Sequence, residues 1–329
     1  MAASSTYYVL AYNSGTTDAT NVNITLEPVN PKLVAVNAGG AAFISQDGVT
    51  WGGSYTTGLS IANDIAFANG LYVAVGQDGT YAGLSTSVDG VTWTKQNFTD
   101  ASAALFTRIQ ANPAGQFLTP RYYGATVDIF TSADGLAWNG PHASGIGGGS
   151  IGPAWTGGNW FIASSSLNPI RKSSDGITWN TSTASSMYQS NTLIGVNGYL
   201  IAGGGAPLNA NKLTVTSSDG GTTFGSLVNL VGTTHYIQAF AANPTTFRVL
   251  SVGSGASAQA SYSDNYGSTW TIASGTGVNS FRAACYWREG FLIGDNTGAI
   301  YSSSDGAAFT FSGSAGTSEI RGIAYNGAP

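Results

Sequence analysis

The chain is 329 residues long, 8% of them charged and 12% aromatic, with a formal net charge of −5 at pH 7 and a single cysteine. Against the roughly 25% charged residues of an ordinary globular domain, its surface must be polar through hydroxyls and amides. The aromatic content excludes a disordered chain. The negative balance, with no Lys/Arg cluster, excludes a general nucleic-acid binder, and lone Cys285 excludes both an internal disulfide framework and a cysteine-based zinc site.

Residues 1–31 stand apart. Tyr7–Tyr12 and Val22–Leu26 read as strands around a turn-rich Asn13–Asp18 segment, closed by Pro28 and Pro31. This is a hairpin or extended arm. The N-terminus lacks the basic and apolar regions of a secretory signal, so the chain is expected to be made in the cytoplasm without export. The longest apolar runs are strand-sized, so no membrane insertion is expected.

From Lys32 a repeat begins. Ser-x-Asp-Gly turns followed by an aromatic residue start at Ser45, Ser87, Ser132, Ser173, Ser217, Ser263 and Ser303, with successive starts 40 to 46 residues apart. The acceptors are Asp47, Asp89, Asp134, Asp175, Asp219, Asn265 and Asp305. The aromatic plugs are Trp51, Trp93, Trp138, Trp179, Phe224, Trp270 and Phe309. Copies five and six carry one residue more between the Asp or Asn and the glycine. Asp and Ser oxygens can take up backbone N–H groups in such a turn, while Gly supplies the positive φ.

Unit two shows the grammar of each repeat. A strand, Asp64–Ala68, leads through Asn69-Gly70 into a second strand, Leu71–Val75; a loop, a short strand, the turn and a fourth strand follow. Four short antiparallel strands at this period are one blade of a β-propeller. The predicted fold is all-β, a seven-bladed propeller over residues 32–329 behind an arm over 1–31. Arg321–Gly327 resembles the inner strand Asp64–Gly70, and Leu33–Val36 supplies the strand that should follow it. The C-terminus therefore closes the first blade. Val9–Asn13 is a rival for that slot, but it needs a long loop from 14 to 32.

These turns resemble the Asp-box, or bacterial neuraminidase repeat, of the form Ser-x-Asp-x-Gly-x-Thr-Trp, seven times from residue 32 onward. The family includes sialidases, xyloglucan-cleaving glucanases, sorting receptors, a photosystem II assembly factor and many bacteriophage tail proteins. The wording Gly70-Leu-Tyr-Val-Ala-Val-Gly-Gln-Asp-Gly79 followed by Ser87-x-Asp89-Gly90-Val-Thr-Trp93 is most similar to the phage group. The resemblance implies a virion protein, mounted on other virion proteins through residues 1–31 and contacting a host-surface glycan or serving assembly. A soluble lectin with sites between blades and a glycoside hydrolase at the channel mouth are the alternatives. The Arg-Ile-Pro motif of sialidases is absent, and none of the three glutamates, Glu27, Glu289 and Glu319, stands beside a tyrosine on an inner strand. The expectation is therefore a chain that is not an enzyme, with no cofactor and no metal.

Fold alone does not fix function, so the unlike residues matter. Aligning the units on their hairpin glycines places Asp64, Arg108, Gly152, Thr192, Tyr236, Arg282 and Arg321 at the start of the inner strands, around one mouth of the central channel. In the family the Asp turns lie on the opposite face. Arginine suits bidentate binding of carboxylate, sulfate or phosphate; the competing reading is that Arg108 or Arg321 pairs with Asp64 and closes the channel. Asp64 is the only acid this alignment brings to the mouth. A second recognition surface is read in the loops: Arg121, Tyr122 and Tyr123, His142 in a Gly-rich loop, and His235 beside Tyr236. Asp295-Asn-Thr-Gly298 reads as a turn, and Cys285 as a buried structural thiol on an inner strand.

Overall fold

The computed structural model describes residues 32–96, 104–147, 152–163, 170–181, 190–206, 209–230, 236–255, 260–277 and 279–327. They form seven antiparallel sheets, each with its strands in chain order except the first. The inner strands are Ile320–Tyr325, Ile61–Ala68, Ala104–Phe106 continued by Gln110–Ala111, Ala154–Thr156, Ser190–Val196, Tyr236–Ala242 and Phe281–Trp287, for blades one to seven respectively. The expected arm, residues 1–31, and His235 lie outside the described residues. No helix among the described residues is long and apolar enough to cross a membrane.

Ring closure is the predicted one. Ile320–Tyr325 pairs antiparallel with Leu33–Asn37, so the last strand of the chain is the inner strand of the first blade. Asn326 and Lys32 fasten the seam, with Lys32 N donating to Asn326 Oδ1 at 2.5 Å and Asn326 N donating to Lys32 O at 3.2 Å.

The second strands read as unbroken apolar runs because both of their faces are buried. Leu33 and Ala35 point toward blade seven, whereas Val34 and Val36 point toward blade two. In Leu71–Val75, Leu71, Val73 and Val75 face blade three while Tyr72 and Ala74 face blade one. This is the period-2 alternation of a strand read out against two neighbours. The result is one apolar cluster at each of the seven blade-to-blade interfaces.

The repeated turn seals these interfaces. Ser45 Oγ donates to Asp47 Oδ1 at 3.0 Å and accepts from Gly48 N at 2.9 Å; Asp47 Oδ1 accepts from Val49 N and Thr50 N at 2.9 and 2.7 Å. Trp51 Nε1 then donates to Gly48 O at 3.2 Å. Every plug packs onto the preceding blade, from Trp51 against the blade-seven cluster to Phe309 against the blade-six cluster. Gly48 is obligatory twice over. Its φ is +69°, and a Cβ there would lie 2.8 Å from the Trp287 ring of blade seven. The inner hairpins reach toward these turns: Asn69 Nδ2 donates to Ala133 O at 3.0 Å and Arg288 Nη2 to Gln46 O at 3.3 Å. The turns therefore sit at the far ends of the inner strands, opposite the face where those strands begin.

Two outcomes test this account. A chain ending at Glu319 exposes the Leu33–Asn37 edge. It is expected to lose its single cooperative thermal transition and to self-associate on size-exclusion chromatography; an unchanged melting temperature and mass would overturn the closure. The Thr50 and Val49 N–H groups hold the Asp47 carboxyl at about 2, below its ordinary 3.8. The N–H groups of Ala137, Thr178 and Ala307 lead the same downward shift at Asp134, Asp175 and Asp305. Because the folded value is the lower one, this stabilisation is complete above about pH 4 and is lost as the pH falls toward 2. Melting temperatures of the wild type and Asp47→Ala should differ at neutral pH and converge on acidification. A gap that does not change with pH would sink the role given to the carboxylate.

Candidate functional site at the channel mouth

The inner strands share an irregularity that the repeat pattern hides. In blades one, two, five, six and seven the pairing of the inner strand with its neighbour skips one residue: Arg321, Asn63, Asn191, Gln238 and Arg282 have no partner opposite them. In blade three the inner strand breaks between Phe106 and Gln110, which pair with Arg121 and Leu118, so three residues including Arg108 face two. A β-bulge of this kind re-aims a side chain. Here the bulges in blades one and seven bring Arg321 and Arg282 to one mouth.

Asp64, Arg108, Gly152, Thr192, Arg282 and Arg321 all line a single cavity of about 220 Å³ at that mouth. Tyr236 is not among the residues lining it; it is 55% exposed at the start of its strand, and its blade contributes Ala239 and Phe240 to the wall. Blade six has no glycine in the turn between Tyr236–Ala242 and Val249–Ser254, so an alignment on the hairpin glycine has no anchor there.

Arg108 crosses the channel. Its Nη1 donates to Arg321 O at 3.3 Å and its Nη2 to Gln238 O at 2.9 Å. Asp64 is held by backbone instead: Oδ1 accepts from Ile65 N at 2.9 Å and Oδ2 from Ile109 N at 3.1 Å. Gly322 leaves room for this carboxylate, since a Cβ there would come within 2.8 Å of Asp64 Oδ1. Burial pushes the Asp64 carboxyl upward, opposed by the Arg108 charge and the two N–H groups. Burial likewise pulls Arg108 below its ordinary value, opposed by Asp64.

Arg282 and Arg321 share an acid that the sequence reading did not bring to the mouth. Glu319 Oε2 accepts from Arg282 Nη1 at 3.1 Å and from Arg321 Nε at 2.9 Å. Arg321 Nη1 donates to Asn63 Oδ1 at 2.6 Å, and Asn63 Nδ2 passes on to Phe106 O at 2.8 Å. The signal for Glu319 was its place two residues before Arg321; nothing in the repeat marked Asn63 or Gln238. The mouth therefore holds three guanidiniums against two carboxylates. The Arg282 side chain is 40% exposed, and among the described residues its Nε and Nη2, like Nη2 of Arg321, have no protein acceptor.

The second predicted surface is not a loop cluster. Arg121, Tyr122 and Tyr123 end the strand Phe117–Tyr123, and His142 lies within the outer strand Asn139–Gly147, opposite Ile129. Arg121 pairs with Asp128 at 2.7 Å and lies over the Phe130 ring; Tyr122 packs against the interface with blade four. Only Tyr123, 43% exposed, offers much surface. Phe117–Tyr123 and Thr126–Ser132 form a hairpin like that of Leu71–Asp78 and Tyr81–Ser87 in blade two, so these residues belong to a sheet and not to a variable loop. Asp295 closes a turn, accepting from Thr297 N and Ala299 N at 2.8 and 2.9 Å. Burial pushes the Cys285 thiol up to about 12. No group of three or more His, Cys, Asp or Glu side chains that could hold a metal ion occurs among the described residues.

No family model and no curated protein sequence matches this chain. Solved structures do. A GH74 enzyme from Niastella koreensis superposes with a TM-score of 0.65 at 14% identity, over 86% of this chain and 52% of that one; the chain thus spans about half the length of that enzyme. A putative 6-phosphogluconolactonase from Bacteroides uniformis gives 0.63 at 12% identity, over 90% and 98%. YCF48 bound to D1 peptide gives 0.59 at 16% identity, over 79% and 84%. The chain is a seven-bladed β-propeller, and at these identities the likeness concerns fold. It does correct one expectation. The sequence predicts a chain that is not an enzyme, yet two of these neighbours are described as an enzyme or a putative one. That reading rested on the few acids placed at the mouth, and Glu319 adds one it did not place there.

The channel-crossing role of Arg108 is open to test. Arg108→Met removes both carbonyl contacts and the positive neighbour of Asp64, and should lower stability by about 2 kcal/mol in urea unfolding. A loss within about 0.5 kcal/mol, the range of an ordinary surface change, would show that Arg108 does not brace the ring.

Proposed function

We propose that this chain is a recognition propeller of the Asp-box type whose channel mouth binds an acidic group, carboxylate or sulfate, on a surface glycan. The carrying observation is the excess of guanidinium over carboxylate at the mouth, with unclaimed N–H donors on Arg282 and Arg321. A guanidinium fork fits a carboxylate or sulfate edge with two parallel hydrogen bonds. A cavity of about 220 Å³ is smaller than the roughly 300–1,000 Å³ of a drug-sized site. It accepts the acidic group and its adjoining atoms, while the rest of the glycan lies across the mouth. A bacteriophage virion is the proposed setting, with residues 1–31 as the mount on other virion proteins; the repeat wording and the Gly-, Ser- and Thr-rich, weakly charged surface support it.

Binding of sialylated, uronate-bearing and sulfated glycans, against neutral glycans of the same core, tests the mouth. Acidic glycans should bind in preference, with affinity falling as salt rises. Arg282→Ala and Arg321→Ala should each weaken binding about tenfold, and Glu319→Gln should strengthen it. Equal binding of acidic and neutral glycans would reject the reading. A chain lacking residues 1–31 should keep the binding and lose its place on the particle.

A further inference from the structure

Copies five and six of the turn, the two with an extra residue, form the walls of a second concavity of about 440 Å³ on the face that carries the Asp turns. We propose that this groove is a binding site for a neutral saccharide, separate from the acidic-group site at the channel mouth.

The groove exists because the repeat is broken there. In blade two the outer strand resumes directly after the plug, as Thr94–Gln96 after Trp93. In blade five it resumes only at Val228–Asn229, opposite Thr214 and Leu213. The intervening segment is tied to the blade by Gly225 N donating to Thr216 O at 2.9 Å. The plug differs too. Trp51, Trp93 and Trp138 each close back on the glycine carbonyl of their own turn, but Phe224 has no N–H with which to do so. Phe224, Gly225 and Ser226 line the cleft.

The facing wall is braced. The extra residue of copy six is Tyr266, at φ +51°, a left-handed conformation that a bulky side chain adopts only when its surroundings hold it. Its ring stacks on Tyr199 with centroids 3.9 Å apart and planes 19° from parallel. Its hydroxyl accepts from Asn197 Nδ2 at 3.0 Å, and Phe247 meets it edge-on at 5.2 Å. Tyr199, which lines the groove, is thus fixed from behind, and such preorganisation lowers the ordering cost of binding.

The lining sets the ligand class. It contains no charged side chain and is rich in hydroxyls beside the rings of Tyr199 and Phe224. Thr216 and Thr223 spend their hydroxyl protons on Tyr266 O and Asp219 Oδ2. Among the described residues, Ser218, Ser226 and Ser268 carry no such bond from their hydroxyls, and all three are exposed. Hydroxyls that both donate and accept, next to aromatic faces, match the two sides of a sugar: its own hydroxyls and its C–H face. A cleft of this volume takes one or two sugar rings.

The test uses the full chain and a panel of uncharged mono- to tetrasaccharides of glucose, galactose, mannose and N-acetylglucosamine, read by saturation-transfer NMR and calorimetry. At least one should bind. Ser226→Trp, which fills the groove from its exposed rim, should weaken that binding at least about tenfold while leaving the thermal midpoint unchanged. Arg282→Ala should leave it intact, which separates this site from the mouth. No binding across the panel, or binding indifferent to Ser226→Trp, would overturn the proposal.

Discussion

Everything in this fold rests on one antiparallel pairing, that of Ile320–Tyr325 with Leu33–Asn37. A propeller blade is stable only when both faces of its sheet are covered. Each blade here has its apolar cluster on either side, and the seventh interface exists only because the first blade receives its inner strand from the far end of the chain. Ile320 and Ile323 belong to that last cluster, together with Leu33, Trp287 and Leu292. The seam thus supplies packing as well as backbone hydrogen bonds.

Within the closed ring, the polar chemistry is a product of the bulges. A regular inner strand would send alternate side chains into the two neighbouring interfaces, where a charge is costly. An extra residue breaks that alternation, and Arg282, Arg321, Asn63 and Gln238 occupy these positions. Arg108, in the broken strand of blade three, ties the ring across its axis through two backbone carbonyls. Arg282 and Arg321 meet at one carboxylate and keep donors to spare. One guanidinium therefore acts as a strut while two remain at the surface, a division of labour that separates ring stability from recognition.

The same logic of a repeat and its exceptions accounts for the groove at blades five and six. In five turns the glycine whose N–H bonds the serine directly follows the aspartate, and in blades one to three the tryptophan folds back onto that glycine. Where a residue is added, the covering fails in one blade and a tyrosine stack forms in the next. The regular copies make scaffold; the irregular ones leave surface with a shape of its own.

Much of this was legible in the order of residues. Seven turns built on a serine, an Asp or Asn two residues on and a glycine, at a near-constant spacing, specify seven blades, and Leu33–Val36 and Leu71–Val75 are uninterrupted apolar runs because both faces of a blade are buried. The likeness of Arg321–Gly327 to Asp64–Gly70 identified the closing strand. The gathering of Arg108, Arg282 and Arg321 with Asp64 was legible too, through alignment on the hairpin glycines. What lay beyond reach was anything that turned on a shift of one residue. Side chains on a strand alternate with period 2, so a single inserted residue sends the rest to the other face. Counting along the chain cannot show where that insertion falls. Hence nothing marked Asn63, the unpaired residue beside Asp64, while Tyr236 stood in for the wall residues Ala239 and Phe240 because blade six lacks the hairpin glycine that anchors the count. Glu319, whose partners Arg282 and Arg321 come from two different blades, was passed over as well. The local sequence by itself determined the turns, the plugs and the number of blades, since each depends on contacts within a few residues. Which charges meet, and which of them stay open to a ligand, was decided only by closing the ring and by where the bulges fall in it.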